Sequence, residues 1–164
     1  MSILSTFPTP FTRFIETGTG RGETLALASK TYKECLSIEV DYEKYLEASK
    51  VFLNTPSIRL YYGHSSFLLQ KLIDPSVPTF FWLDAHYVSN EVGMVKGYGN
   101  CPLLSELEEI NKVEWAVQPL IYIDDFSTFE RGLYSWPTLQ QLDEVMKKWE
   151  RSQISDEIFS YRKV

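Results

Sequence analysis

Near its N-terminus the chain reads Phe14-Ile15-Glu16-Thr17-Gly18-Thr19-Gly20-Arg21-Gly22, and Glu23-Thr24-Leu25-Ala26-Leu27-Ala28 follows without a break. An apolar run that stops at an acid, three alternating glycines and a helix-forming stretch predict a strand, a tight turn and a helix in direct succession. Glycine suits such a turn because it reaches positive φ cheaply and lets a ligand approach the backbone. The turn also presents backbone N–H groups and the positive end of a helix dipole to whatever lies above the strand. The spacing is G-x-G-x-G, whereas the dinucleotide fingerprint is G-x-G-x-x-G, which disfavours a nicotinamide oxidoreductase. A tight turn with no ligand is the alternative to a binding turn, since glycine-rich loops occur without one.

The rest of the chain repeats this alternation. Strands are predicted at Cys35-Leu36-Ser37-Ile38-Glu39, Ile58-Arg59-Leu60-Tyr61-Tyr62, Thr79-Phe80-Phe81-Trp82-Leu83 and Pro119-Leu120-Ile121-Tyr122-Ile123, with helices over residues 42–52, 67–73 and 101–110. Tyr45, Leu46, Val51 and Phe52 are expected to supply the apolar face of the helix that Asp41 caps. A long helix over 137–150 and a final edge strand over 158–162 complete the prediction, with an aromatic loop at Phe126, Phe129, Tyr134 and Trp136 before them. Nearly continuous apolar strands separated by helices imply a single Rossmann-like, doubly wound, mostly parallel sheet covered on both faces. Residues 87–100 break the pattern, with Gly93, Gly97 and Gly99 and no apolar period, and predict a functional loop.

Composition narrows the function classes. The 164 residues, 44% of them hydrophobic, suffice for one domain with a substantial core. Sixteen basic and 22 acidic residues give a net charge of −6, which argues against a bulk grip on nucleic acid or an anionic membrane. No signal peptide or membrane-spanning run is expected, and the predicted location is the cytoplasm. Cys35 reads as a small core residue rather than part of a disulfide framework. Cys101, at a predicted helix start, offers an alternative nucleophile paired with His86.

The polar residues at strand ends carry the chemistry, because open parallel sheets bind ligands beyond their carboxyl ends. Glu39 follows the glycines by roughly twenty residues, the placement of an acid that accepts two hydrogen bonds from ribose hydroxyls; the alternative is a solvated strand-end acid. Asp84, Asp124 and Asp125 end two strands expected to be neighbours, and three unpaired carboxylates there would repel one another. A divalent cation relieves that cost, and oxygen ligands favour magnesium, manganese or calcium over zinc. His86, two residues beyond Asp84, fits a general base, a metal ligand or a backbone-bonded structural residue.

Phe14 to Gly22, Ile38-Glu39, Phe80 to Asp84 and Ile121 to Asp125 resemble the successive motifs of class I S-adenosylmethionine-dependent methyltransferases, over most of the chain. Asp84 followed by Asp124-Asp125 is similar to the metal site of the cation-dependent O-methyltransferases, the catechol and the macrolide or aminocoumarin sugar types. The resemblance implies that Glu16 and the turn of Gly18, Thr19, Gly20 and Gly22 hold the methionine part of the cofactor, Glu39 the ribose, and His64-Ser65 the adenine edge. It implies magnesium on Asp84, Asp124 and Asp125, with Asp84 also bordering the cofactor, and His86 near the hydroxyl of a small acceptor such as a sugar or catechol-like diol. Two departures stand out: His64 where an acid is expected, and few residues before Phe14. A lid is accordingly expected from residues 87–100 or from a second subunit of a homodimer, and the sheet can have six strands in place of seven. A cofactor-binding regulatory protein and a metal-dependent hydrolase are the competing functions.

Overall fold

Five parallel strands and one antiparallel pair form a single seven-stranded sheet in the computed structural model, which describes residues 7–86 and 101–163. The segment 87–100, expected to be a lid, lies outside the described residues. In chain order the elements are β1 (Arg13–Thr17), α1 (Glu23–Ala28), β2 (Glu34–Glu39), α2 (Tyr42–Val51), β3 (Ile58–Tyr62), α3 (Ser65–Leu72), β4 (Thr79–Leu83) and α4 (Leu103–Asn111). There follow β5 (Leu120–Ile123), α5 (Phe126–Arg131), α6 (Leu139–Val145), β6 (Trp149–Gln153) and β7 (Phe159–Lys163). The sheet order is β3-β2-β1-β4-β5-β7-β6, with β7 antiparallel to both its neighbours.

The unbroken apolar strands are explained by burial on both faces. Along β1, Phe14 joins the core on one side and Ile15 the core on the other. Along β4, Phe80 and Trp82 enter the first of these cores while Phe81 and Leu83 enter the second. Side chains alternate faces along a strand, so a strand covered twice has no place for a polar period. The first core is aromatic: Phe80 lies 5.8 Å from Phe14, 6.0 Å from Tyr32 and 5.0 Å from Tyr122, ring centre to ring centre.

Four expectations are corrected. The sheet has seven strands, because the expected long helix stops at Val145 and the chain turns into β6. Only Trp149 of β6 is buried, and its polar neighbours disguise it as the end of a helix. Its indole N–H donates to Asn111 Oδ1 (2.9 Å), while the Asn111 amide donates to the Val145 carbonyl, so β6, α4 and the end of α6 are tied at one point. β7 is consequently interior rather than an edge strand. The aromatic loop contains α5, whose short length hides any helical period. On α2 the inward residues are Ala48 and Phe52 at its end, while Leu46 and Val51 are exposed.

Phe80 is fully buried at the centre of the aromatic core. Phe80→Ala should cost about 3–5 kcal/mol, the range for a buried phenylalanine removed without collapse of its cavity. Urea denaturation checks this, and a loss below about 1 kcal/mol would show that the aromatic core closes around the gap.

Candidate functional site

The strand order reverses between β1 and β4, since the chain runs out through β2 to β3 and returns on the other side of β1. A crevice opens beyond the carboxyl ends at such a point. The glycine turn leaves β1 there. Gly18 (φ 83°) and Gly20 (φ 54°) are both left-handed, but they face different surroundings. A Cβ on Gly18 would lie 2.5 Å from the Asp84 carbonyl oxygen, whereas one on Gly20 would meet nothing within 4 Å. Gly18 is therefore fixed by a backbone-to-backbone approach, and the open space lies over Gly20.

Two acids brace the turn, Glu39 from β2 and Glu16 from β1 through Ser37. Glu39 accepts from the Gly20 N–H through Oε2 (2.9 Å) and from the Asp41 N–H through Oε1 (2.8 Å). Each carboxylate oxygen keeps a further lone pair, so the brace remains able to accept from a ligand. Glu16 is buried and accepts from Ser37 Oγ at 2.6 Å. Because that hydroxyl proton is committed, Thr19 Oγ1, 2.6 Å from Ser37 Oγ, is the donor to it. Burial pushes the Glu16 carboxyl up to about 8; the Ser37 bond opposes the shift and the Glu39 charge adds to it. The register that sets Glu16 beside Ser37 supplies this chain of hydroxyls, and no local sequence signal announces it.

On the adjoining edge, His64 caps α3, its Nδ1 accepting from the Ser66 N–H at 3.3 Å, and Ser65 is buried at the first helical position. The cap is a role the sequence did not suggest for His64.

β4 and β5 end side by side, with Leu83 opposite Ile123. Asp84, His86 and Asp125 converge there, each offering a ligand atom within 4.8 Å of the others. His86 Nδ1 lies 3.6 Å from Asp125 Oδ2 and 4.0 Å from Asp84 Oδ1, beyond hydrogen-bond length. Among the described residues neither ring nitrogen of His86 has a hydrogen-bond partner, which disfavours the backbone-bonded reading. The ring packs on Phe129 and Trp136, at 5.1 and 4.8 Å between centres. Of the expected trio, Asp124 is the one outside the convergence: its Oδ1 accepts from the Asp125 N–H (3.0 Å). Asp84 is raised well above the carboxylate range by burial first, then by the charges of Asp124, Asp125 and Glu16. Burial likewise lifts Asp124 to about 6. Asp125 itself holds a left-handed backbone (φ 63°), which for a residue with a Cβ costs roughly 1–2 kcal/mol.

Cys101 is corrected: burial pushes its thiol up, opposite to the activation that a nucleophile needs. Sequence reading missed Glu106, fully buried on α4 near the hydroxyls of Thr17 and Ser65. Among the described residues neither of its oxygens nor Thr17 Oγ1 has a well-formed hydrogen bond, and burial lifts the carboxyl to about 7 despite those hydroxyls. A solvated-looking acid in a helix gives no sign of this; only the packing of α4 on α3 reveals it.

No protein-family model matches this sequence, and no curated protein matches it significantly. Solved structures do. A SAM-dependent methyltransferase of Aquifex aeolicus superposes with a TM-score of 0.56 at 15% identity, over 93% of this chain and 81% of that one. A methyltransferase of Podospora anserina solved with S-adenosylhomocysteine bound gives 0.60 at 16% identity, over 93% and 72%. The YcgJ protein of Bacillus subtilis gives 0.59 at 13% identity over 88% of this chain, which spans only 64% of that protein. These likenesses establish the α/β fold.

Two stability measurements test the site's framework. Gly18→Ala should destabilise the protein well beyond Gly20→Ala, whose cost is roughly the 1–2 kcal/mol of a left-handed alanine, because only Gly18 adds a backbone collision. Equal losses in urea denaturation would refute the close approach. For Glu106 the folded value, about 7, exceeds the ordinary 4.5, so the native state binds the proton more tightly than the unfolded chain. Its contribution to stability is full below pH 4.5 and is lost as pH rises toward 7, remaining lost above. Glu106→Gln should therefore raise stability at pH 8 by up to about 3 kcal/mol, the gain shrinking toward pH 4.5. Glu16 titrates in both proteins and cancels in the difference.

Proposed function

We propose that this chain binds S-adenosylmethionine at the carboxyl end of its sheet and transfers the methyl group, with help from a divalent cation, to a small hydroxylated acceptor such as a sugar or catechol-like diol. The observation that carries this reading is the glycine turn at the strand-order reversal, braced by Glu39 and open above Gly20. The fold shared with the Aquifex methyltransferase, and with the Podospora methyltransferase solved with S-adenosylhomocysteine, supports it.

The donor set fits the cofactor. Gly20 leaves the backbone open above the turn that Gly18, Thr19 and Gly22 complete, and Glu16 lies beneath them with the Thr19–Ser37 hydroxyl chain. Together these would hold the amino-acid part. Glu39, already oriented by two N–H donors, would take the ribose hydroxyls on its remaining lone pairs. His64 and Ser65 would border the adenine. When bound, the cofactor supplies a methyl group on an activated sulfonium. The chain's own task is then alignment of the acceptor, and the Gly18–Asp84 approach puts the residues for that task beside the cofactor turn. Asp84 and Asp125 offer oxygen ligands to the cation, with Asp124 behind them. A hydrolase reading suffers from the histidine count: there are two, and His64 caps α3. We assign the activity to the cytoplasm and to a small-molecule substrate rather than nucleic acid or membrane. Among the described residues no helix is long and apolar enough to cross a membrane. Pairing with a second copy is supported by exposed Tyr42, Leu46 and Tyr62 beside the open edge of β3.

S-adenosylhomocysteine should bind in the micromolar range, roughly −8 kcal/mol, by calorimetry. Glu39→Gln should weaken it by about 1.5–3 kcal/mol in protein whose circular dichroism is unchanged. Folded parent protein giving no heat with either adenosyl ligand would sink the methyltransferase reading.

A further inference from the structure

We infer that His86 is a metal ligand, and that Asp84, His86 and Asp125 form a mixed nitrogen–oxygen site selective for a divalent transition ion over magnesium or calcium. The inference deepens the proposed function, on which its catalytic meaning rests, but binding of the ion does not require the cofactor.

Burial and orphaned nitrogens carry it. The His86 side chain is 1% exposed, and among the described residues both nitrogens lack a hydrogen-bond partner. An imidazole left that way is costly, since a buried polar group without a partner loses its hydration for nothing. Its Nδ1 faces two carboxylates at 3.6 and 4.0 Å, too long for direct hydrogen bonds and suited to an ion between them. Nε2 is shut away with the ring among Phe129 and Trp136, so only Nδ1, on the side of the two carboxylates, can take an ion, and an ion held there leaves no nitrogen for an acceptor hydroxyl. That disfavours the general-base role and leaves ligation. The ring packing also fixes the imidazole, so little freedom is lost when the ion binds. Asp84 and Asp125 keep 24% and 39% of their side-chain surface exposed, which gives the ion an entry and open positions for water or acceptor oxygens. Magnesium and calcium prefer all-oxygen shells, whereas an imidazole nitrogen beside two carboxylates suits manganese, iron(II) or cobalt(II). The trio expected from sequence would have been all oxygen; replacing Asp124 by His86 changes which ion the site prefers.

The test is a calorimetric titration of cofactor-free protein with cobalt(II), manganese(II) and magnesium, read alongside the imidazole NMR signals. With only two histidines, the ligating ring should show large contact shifts and strong broadening on adding cobalt(II), far beyond any shift of the other. Affinity should fall in the order cobalt, manganese, magnesium. His86→Asn should remove the shifted signal and weaken cobalt(II) by roughly tenfold or more while changing magnesium little. Asp125→Asn, at a half-exposed position, should weaken all three ions and serves if the buried variant fails to fold. Magnesium binding as tightly as cobalt(II), neither histidine signal responding, or unchanged cobalt(II) affinity in folded His86→Asn or Asp125→Asn would each overturn the assignment. Binding of S-adenosylhomocysteine, measured on the same samples without metal, fails or succeeds separately.

Discussion

The backbone leaving β1 at Gly18 presses so closely on the carbonyl of Asp84 that no side chain fits between them. This approach sets the geometry of everything at the carboxyl end of the sheet. It joins the turn that offers N–H groups to the strand end that offers carboxylates. The ladder continues past the strands to hold it, with the Gly18 N–H on the Ile38 carbonyl and the Asp84 N–H on the Thr17 carbonyl. An error of one residue in the β1–β4 register would reverse which side chains meet each core, so the site inherits its precision from the packing of Phe80, Phe81, Trp82 and Leu83.

The second constraint is the concentration of acids that burial disfavours. Glu16, Asp84, Glu106 and Asp124 are all raised by desolvation, and Asp84 is raised further by its neighbours' charges. A fold selected for stability alone would replace such groups with apolar residues of similar size. Their grouping along one edge of the sheet, next to the left-handed Asp125, is the pattern of a site whose polar groups are set before a ligand arrives. Glu106 joins this set from α4, beside Thr17 at the end of β1 and Ser65 at the start of α3.

Much of this was legible in the sequence because the signals are local. Strand ends, the glycine turn, the Asp41 cap and the apolar runs of β1, β2, β4 and β5 each depend on neighbouring residues obeying one backbone preference. Where a preference was weak or shared by two structures, the reading failed. Met146, Lys147 and Lys148 suit a helix as well as a turn, so β6 was absorbed into α6. The strand exists because Trp149 reaches Asn111 and because β7 offers it a free edge, two contacts with partners far along the chain.

The acidic strand ends show the same division most sharply. Sequence by itself determined that Asp84, Asp124 and Asp125 end strands, through strand length and the alternation of β and α; that β4 and β5 are neighbours was decided by the sheet order, in which the equally consecutive β3 and β4 lie apart. It could not determine which side chains converge, because Asp124 and Asp125 lie beyond the end of β5 and His86 beyond the end of β4, where strand alternation no longer fixes side-chain direction. Tertiary structure decided that Asp124 bonds to the Asp125 N–H, while His86 is driven inward by Phe129 and Trp136 toward Asp84 and Asp125. The physical reason is that direction at a strand's end is set by the packing of the elements that follow, here α5 and the Trp136 segment, and not by the residues that end the strand.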